Sequence, residues 1–147
     1  MEGRPQAHAA ESPLILVDTS VWIEFFSYSP GRAGEELRRM IEEAEPLALT
    51  GVIVTEILQG LRRDVHRIER FLSLWEMLEP RGFSTYREAA TISRLARSRG
   101  TSLTTIDTFI AAIAIEHRAS LFTLDKDFSH IARMTSLHLH FLPEPAL

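Results

Sequence analysis

The chain has 147 residues, the size of one domain, and no cysteine, which excludes disulfide scaffolds, cysteine-ligated metals and thiol catalysis. Lys and Arg number 16 against 20 Asp and Glu, a net charge of −4 that is not the balance of a default nucleic-acid binder. Aspartate is scarce: Asp18, Asp64, Asp107, Asp125 and Asp127 are the only five, while the bases are all arginine except Lys126. No run approaches the roughly 18 apolar residues of a membrane span. The first dozen residues are small and polar, without the apolar centre of a signal peptide. Residues 1–12 are therefore expected to form a flexible extension, 13–147 a single domain, and the location to be cytoplasmic.

The first core signal is the apolar run 14–17, a strand buried on both faces. Asp18 and Thr19 follow, and Thr19 is expected to cap a helix through Val21, Trp22, Ile23, Phe25 and Phe26. Residues 33–44 read as a helix burying Leu37, Met40, Ile41 and Ala44, ended by Glu45-Pro46. Residues 47–49 predict a second strand. Thr50 then opens a helix carrying Glu56 among Val52, Ile53 and Ile57. Asp64 is expected to cap a helix reaching Leu78, and Ser84 one ending at Gly100. Thr104-Thr105 opens an almost wholly apolar helix, 106–118, which must be central. A strand at 120–124, a loop, a short helix at 129–134 and a last strand at 138–142 complete the chain. Strands alternating with helices or helix pairs predict an α/β sandwich with a mainly parallel sheet. The glycines form neither the dinucleotide-binding nor the P-loop phosphate cradle.

Ligands of open α/β sheets bind at the carboxyl ends of strands. Asp18 follows the first strand, Asp125 and Asp127 follow the 120–124 strand, and Asp107 sits in the first turn of the helix before it. Glu56 is an acid on an apolar helix, and acids are rarely buried without a partner. If these groups converge, a hard divalent cation offsets their repulsion, and the chemistry suggested is phosphodiester hydrolysis. Each acid also has a plainer reading. Asp107 suits a helix dipole, Asp125 and Asp127 a turn, Asp18 an N-cap, and Glu56 a solvated helix edge. Asp64, a cap with no strand end nearby, is assigned no chemistry.

The segments 16–23, 55–60, 106–112 and 123–128, taken in that order and spacing, resemble the PIN-domain ribonucleases and, within them, the VapC toxins of bacterial toxin–antitoxin pairs. The resemblance runs over roughly 14–142 and implies a PIN-like three-layer sandwich. It implies that Asp18, Glu56, Asp107 and Asp125 hold one or two Mg²⁺ ions, for which Mn²⁺ can substitute, with Asp127 as an auxiliary ligand. Thr123 would orient a carboxylate or water through its hydroxyl, and Ser20 would line the same pocket. The implied reaction is in-line attack of metal-activated water on RNA, often a structured RNA such as tRNA, leaving a 5′-phosphate and a 3′-hydroxyl. The implied partners are a VapB-like antitoxin and a second copy of the chain, with no membrane.

Arg62, Arg63, Arg67 and Arg70 lie in one region and Arg94, Arg97 and Arg99 near another helix end. They are candidate phosphate contacts, or equally a solvated face. Trp22, Phe25, Phe26 and Tyr28 divide between core and an apolar groove for an antitoxin helix. His138 and His140 on the last strand are expected to face solvent. Two other functions remain open at this point. A HAD-like phosphatase or receiver domain also places an Asp after its first strand, but the phosphatase needs a second Asp where Ser20 stands. A catalytically silent PIN-fold binding module is the other. Setting the five candidate ligands aside leaves 16 bases against 15 acids, so the negative charge has the size of the proposed centre.

Overall fold

The apolar run at 14–17 does become a strand, and everything else is arranged about it. A computed structural model describes residues 14–143; the expected extension 1–12 lies outside the described residues. The elements are β1 (Ile15–Val17), α1 (Thr19–Phe25), α2 (Arg32–Glu42), β2 (Leu47–Leu49), α3 (Gly51–Gln59), α4 (Val65–Leu72), β3 (Glu76–Met77), α5 (Phe83–Ser98), α6 (Thr105–Glu116), β4 (Ser120–Phe122) and α7 (Asp127–Met134). The sheet runs β3-β2-β1-β4 and every pairing is parallel, with Ile15 against Leu47 on one side and Ser120 on the other. Strands one to three step in one direction and β4 reverses it. Right-handed crossovers then place α1–α4 on one face and α5–α6 on the other, giving three layers. Accordingly α1 packs on α2 and α3, whereas α5 packs on α6 and α7. Leu16, Val17, Leu49, Leu121 and Phe122 are buried in the middle layer, as a sheet covered on both faces requires.

An aromatic cluster fastens one face. Trp22 is fully buried, and its ring meets Phe25, Phe26, Phe71 and Trp75 at centroid distances of 5.5–6.2 Å. Glu36, buried on α2, is chelated by Arg39 at 2.9 and 2.8 Å, which holds its carboxyl below the usual range.

Several sequence expectations need correction. The helix expected at 65–78 stops at Leu72, and Glu76–Met77 forms β3, an edge strand too short and too exposed to leave an apolar signature. The helix expected over 33–44 ends at Glu42, and Ala44 is exposed in a left-handed turn (φ 55°) instead of joining the core. Asp64 occupies the N-cap position but in a left-handed conformation (φ 61°). Its carboxylate pairs with Arg67 at 3.1 Å and caps nothing. Thr19 lies inside α1 with Asp18 at the N-cap position. Gly82 precedes α5 in place of Ser84, its φ of 123° being one that favours glycine. The 138–142 strand reduces to one parallel bridge, Leu121 to Leu139. His138 is exposed as expected. His140 is not: it packs on the Phe122 ring, with Nε2 3.4 Å from Glu36.

Candidate metal centre

The reversal of strand order between β1 and β4 opens a crevice at their carboxyl ends, where open α/β sheets bind ligands. Asp18 stands there, at the N-cap position of α1 yet making no side-chain cap. Its backbone N–H continues the ladder to Phe122 (2.9 Å), so its position is set by the sheet. Its buried carboxylate is instead held by hydroxyls: Ser20 Oγ donates to Oδ2 at 2.9 Å and Thr123 Oγ1 donates to the same oxygen at 2.8 Å. β4 ends at Phe122, not at 124, and this frees Thr123 for that contact. The loop beyond is knitted to the same hydroxyls. Leu124 N–H donates to Ser20 Oγ (3.0 Å), Asp125 N–H to Thr123 Oγ1 (3.0 Å) and Asp127 N–H to Asp125 Oδ1 (2.9 Å).

Asp107 enters from α6. Thr104 caps that helix by accepting from Asp107 N–H at 3.1 Å, which fixes the first turn against the crevice. Oxygens of Asp107, Asp125 and Asp127 lie within 4.8 Å of one another. Burial pushes the Asp107 carboxyl up to about 6, and the neighbouring charges of Asp125, Asp18 and Asp127 push the same way against a smaller opposing effect of Thr104. Asp18 is thus electrostatically part of the group. Glu56 stands apart from the tight trio. It is half-buried on α3, and Thr19 Oγ1 donates to its Oε1 at 2.7 Å, tying it to the residue after Asp18. Among the described residues, none of the five acids is in an ion pair.

Asp127, expected only as an auxiliary, is therefore inside the closest set, and Glu56, expected as a principal ligand, is outside it and bonded to Thr19. The role of Thr19 was missed in the sequence, where a threonine before a helix reads as a cap. The donor set is all carboxylate oxygen, crowded and without a basic counter-charge. That chemistry fits a hard divalent cation such as Mg²⁺ or Mn²⁺.

The candidate phosphate contacts fall into two places. Arg62, Arg63 and Arg67 line a groove of about 740 Å³ together with Arg38, and Phe25, Phe26, Tyr28 and Phe71 also line it. Arg94 and Arg97 line a smaller cleft between α5 and α6. Of the four aromatics set between core and groove, Trp22 is core and the other three line the groove.

Residues 15–134 match the family model described as the PIN domain. The chain is 40% identical over 128 residues to Ribonuclease VapC11 of Mycobacterium tuberculosis, covering 84% of this chain and 96% of that protein. Among solved structures, VapBC2 from Rickettsia felis bound to a promoter DNA fragment superposes with a TM-score of 0.68 at 16% identity, over 86% of this chain and 97% of that one. FitAcB from Neisseria gonorrhoeae does so with a TM-score of 0.63 at 21% identity, over 85% and 95%. Both structural likenesses concern the fold.

Proposed function

The chain is a PIN-domain ribonuclease of the VapC family, and from that premise we propose that Asp18, Glu56, Asp107, Asp125 and Asp127 form its metal-dependent centre for cleaving RNA phosphodiester bonds. Family membership displaces the phosphatase and receiver readings. The observation that carries the assignment is the crowding of Asp107, Asp125 and Asp127 within 4.8 Å, beside Asp18 and with no basic partner among the described residues. A bound Mg²⁺ or Mn²⁺ supplies Lewis acidity to water and to a phosphate oxygen. The chain supplies placement. Ser20 and Thr123 donate to Asp18 Oδ2 and would hold this carboxylate in place for a cation. Thr19 does the same for Glu56 by occupying Oε1. Asp107 has the most strongly raised carboxyl of the group, near 6, and a bound cation would lower it.

The groove lined by Phe25, Phe26 and Phe71 with Arg38, Arg62, Arg63 and Arg67 suits an amphipathic, acidic segment of a VapB-like antitoxin. A homodimer working on a structured RNA such as tRNA, in the cytoplasm, completes the proposal. No helix of the described residues is long and apolar enough to cross a membrane. The test is cleavage of total RNA with and without EDTA, beside Asp107→Asn. EDTA should abolish cleavage and the variant should lose at least about 100-fold. Full activity of Asp107→Asn at the same Mg²⁺ concentration would falsify the assignment, and a wild-type chain that neither cuts RNA nor binds Mg²⁺ would make this a silent PIN-fold binding module.

A further inference from the structure

The smaller cleft, about 440 Å³, lies between α5 and α6 and is lined by no carboxylate. Tyr86 and Phe109 form one wall, their rings stacked at 5.7 Å between centroids and 19° between planes. Phe109 is half-buried and anchors the pair, whereas Tyr86 keeps 52% of its surface in solvent. Arg94 and Arg97 line the same cleft, and neither is in an ion pair among the described residues. Thr105 closes it from the first turn of α6, the turn that carries Asp107.

An aromatic platform with two guanidinium forks is the chemistry that holds single-stranded nucleic acid: the base stacks on the ring and the phosphates take the forks. Its position matters as much. A polyanion must approach a centre built of carboxylates, and cationic groups on the helix pair that carries Asp107 offset the repulsion. We propose that this cleft is a nucleotide subsite, in which a base of single-stranded RNA next to the scissile phosphate stacks on Tyr86 and its phosphates contact Arg94 and Arg97. The inference rests on the ribonuclease reading and adds where the substrate lies. Stacking of this kind is sequence-tolerant, since every base presents a stacking face.

The experiment titrates the full chain with a fluorescent single-stranded RNA of about twelve nucleotides, in EDTA so that no cutting occurs, and follows anisotropy at several salt concentrations. Tyr86→Leu is expected to weaken binding about tenfold, and Tyr86→Phe to retain it. The double substitution Arg94→Gln/Arg97→Gln should lower the salt slope by about two phosphate contacts. In all three variants the rise in melting temperature on adding Mg²⁺ should match wild type, because the carboxylates are untouched. Wild-type RNA affinity in Tyr86→Leu, or a wild-type chain that does not bind this RNA, overturns the subsite. So does a Tyr86→Leu chain that changes from dimer to monomer by light scattering while each protomer keeps its RNA affinity, since the cleft is then an interface between copies. Asp107→Asn reports separately on the ribonuclease centre: it should bind the RNA and fail to cut it.

Discussion

In the carboxylate centre, four acids hang on strand ends or a helix start and Glu56 stands within α3, with hydroxyls donating to Asp18 and Glu56. In the groove between α1 and α4, four arginines edge a floor of phenylalanines, with the Arg38 guanidinium 5.1 Å from the Phe25 ring centre. The groove's charges lie on flexible, exposed side chains over aromatic rings that are already packed, so it costs the fold little. The centre is different. Its charges are drawn together by the sheet, burial and mutual repulsion raise the Asp107 carboxyl, and no basic group among the described residues relieves them. One region is built on rings that pack together; the other sets carboxylates against one another and raises the carboxyl of Asp107.

The largest effect that tests this contrast belongs to the buried aromatic core behind the groove. Trp22→Ala removes the hub of the aromatic cluster and should cost about 3–5 kcal/mol in urea unfolding. A loss below about 1 kcal/mol would mean the cluster is not the fastening of that face. A smaller effect is expected from Thr123→Val, which removes one donor from Asp18 and the acceptor for Asp125 N–H. Cleavage and Mg²⁺ affinity by calorimetry should both fall about tenfold, with Thr123→Ser close to wild type. Unchanged Mg²⁺ affinity would relieve Thr123 of its positioning role.

The smallest effect is in the pH dependence. The folded Asp107 carboxyl sits near 6 against an ordinary aspartate value of 3.8, so between these limits the folded chain binds more protons than the unfolded one. Asp107 therefore contributes a loss of stability to the metal-free chain as pH rises through that window. Urea unfolding in EDTA should show this decline in wild type and a flatter curve in Asp107→Asn, and Mg²⁺ should reverse the decline at pH above 6. Parallel curves for the two proteins would show that Asp107 carries no such strain.

The sequence made the centre legible because its acids are attached to features with strong local signals. An apolar run that ends in Asp18, and an apolar helix that starts at Asp107, place two carboxylates at one end of a parallel sheet whatever the details. β3 was hidden for the opposite reason: two exposed residues on a sheet edge bury too little to show a pattern, and the pairing with β2, Ala48 with Glu76 and Leu49 with Met77, fixes the strand there. Asp64 illustrates the limit of cap rules, since its backbone took a left-handed conformation set by the loop before α4.

By itself the sequence determined the alternation of strands and helices, the position of four acids at strand ends or a helix start, and the absence of any thiol chemistry, because hydrophobic periodicity and residue type are local properties. Only the tertiary structure decided that Asp127 joins Asp107 and Asp125 while Glu56 stands apart on Thr19, that His140 turns inward to Phe122 and Glu36, and that the arginines divide between two separate concavities. Those outcomes depend on distances between segments up to a hundred residues apart, which are set by how the layers pack and not by any window of the chain.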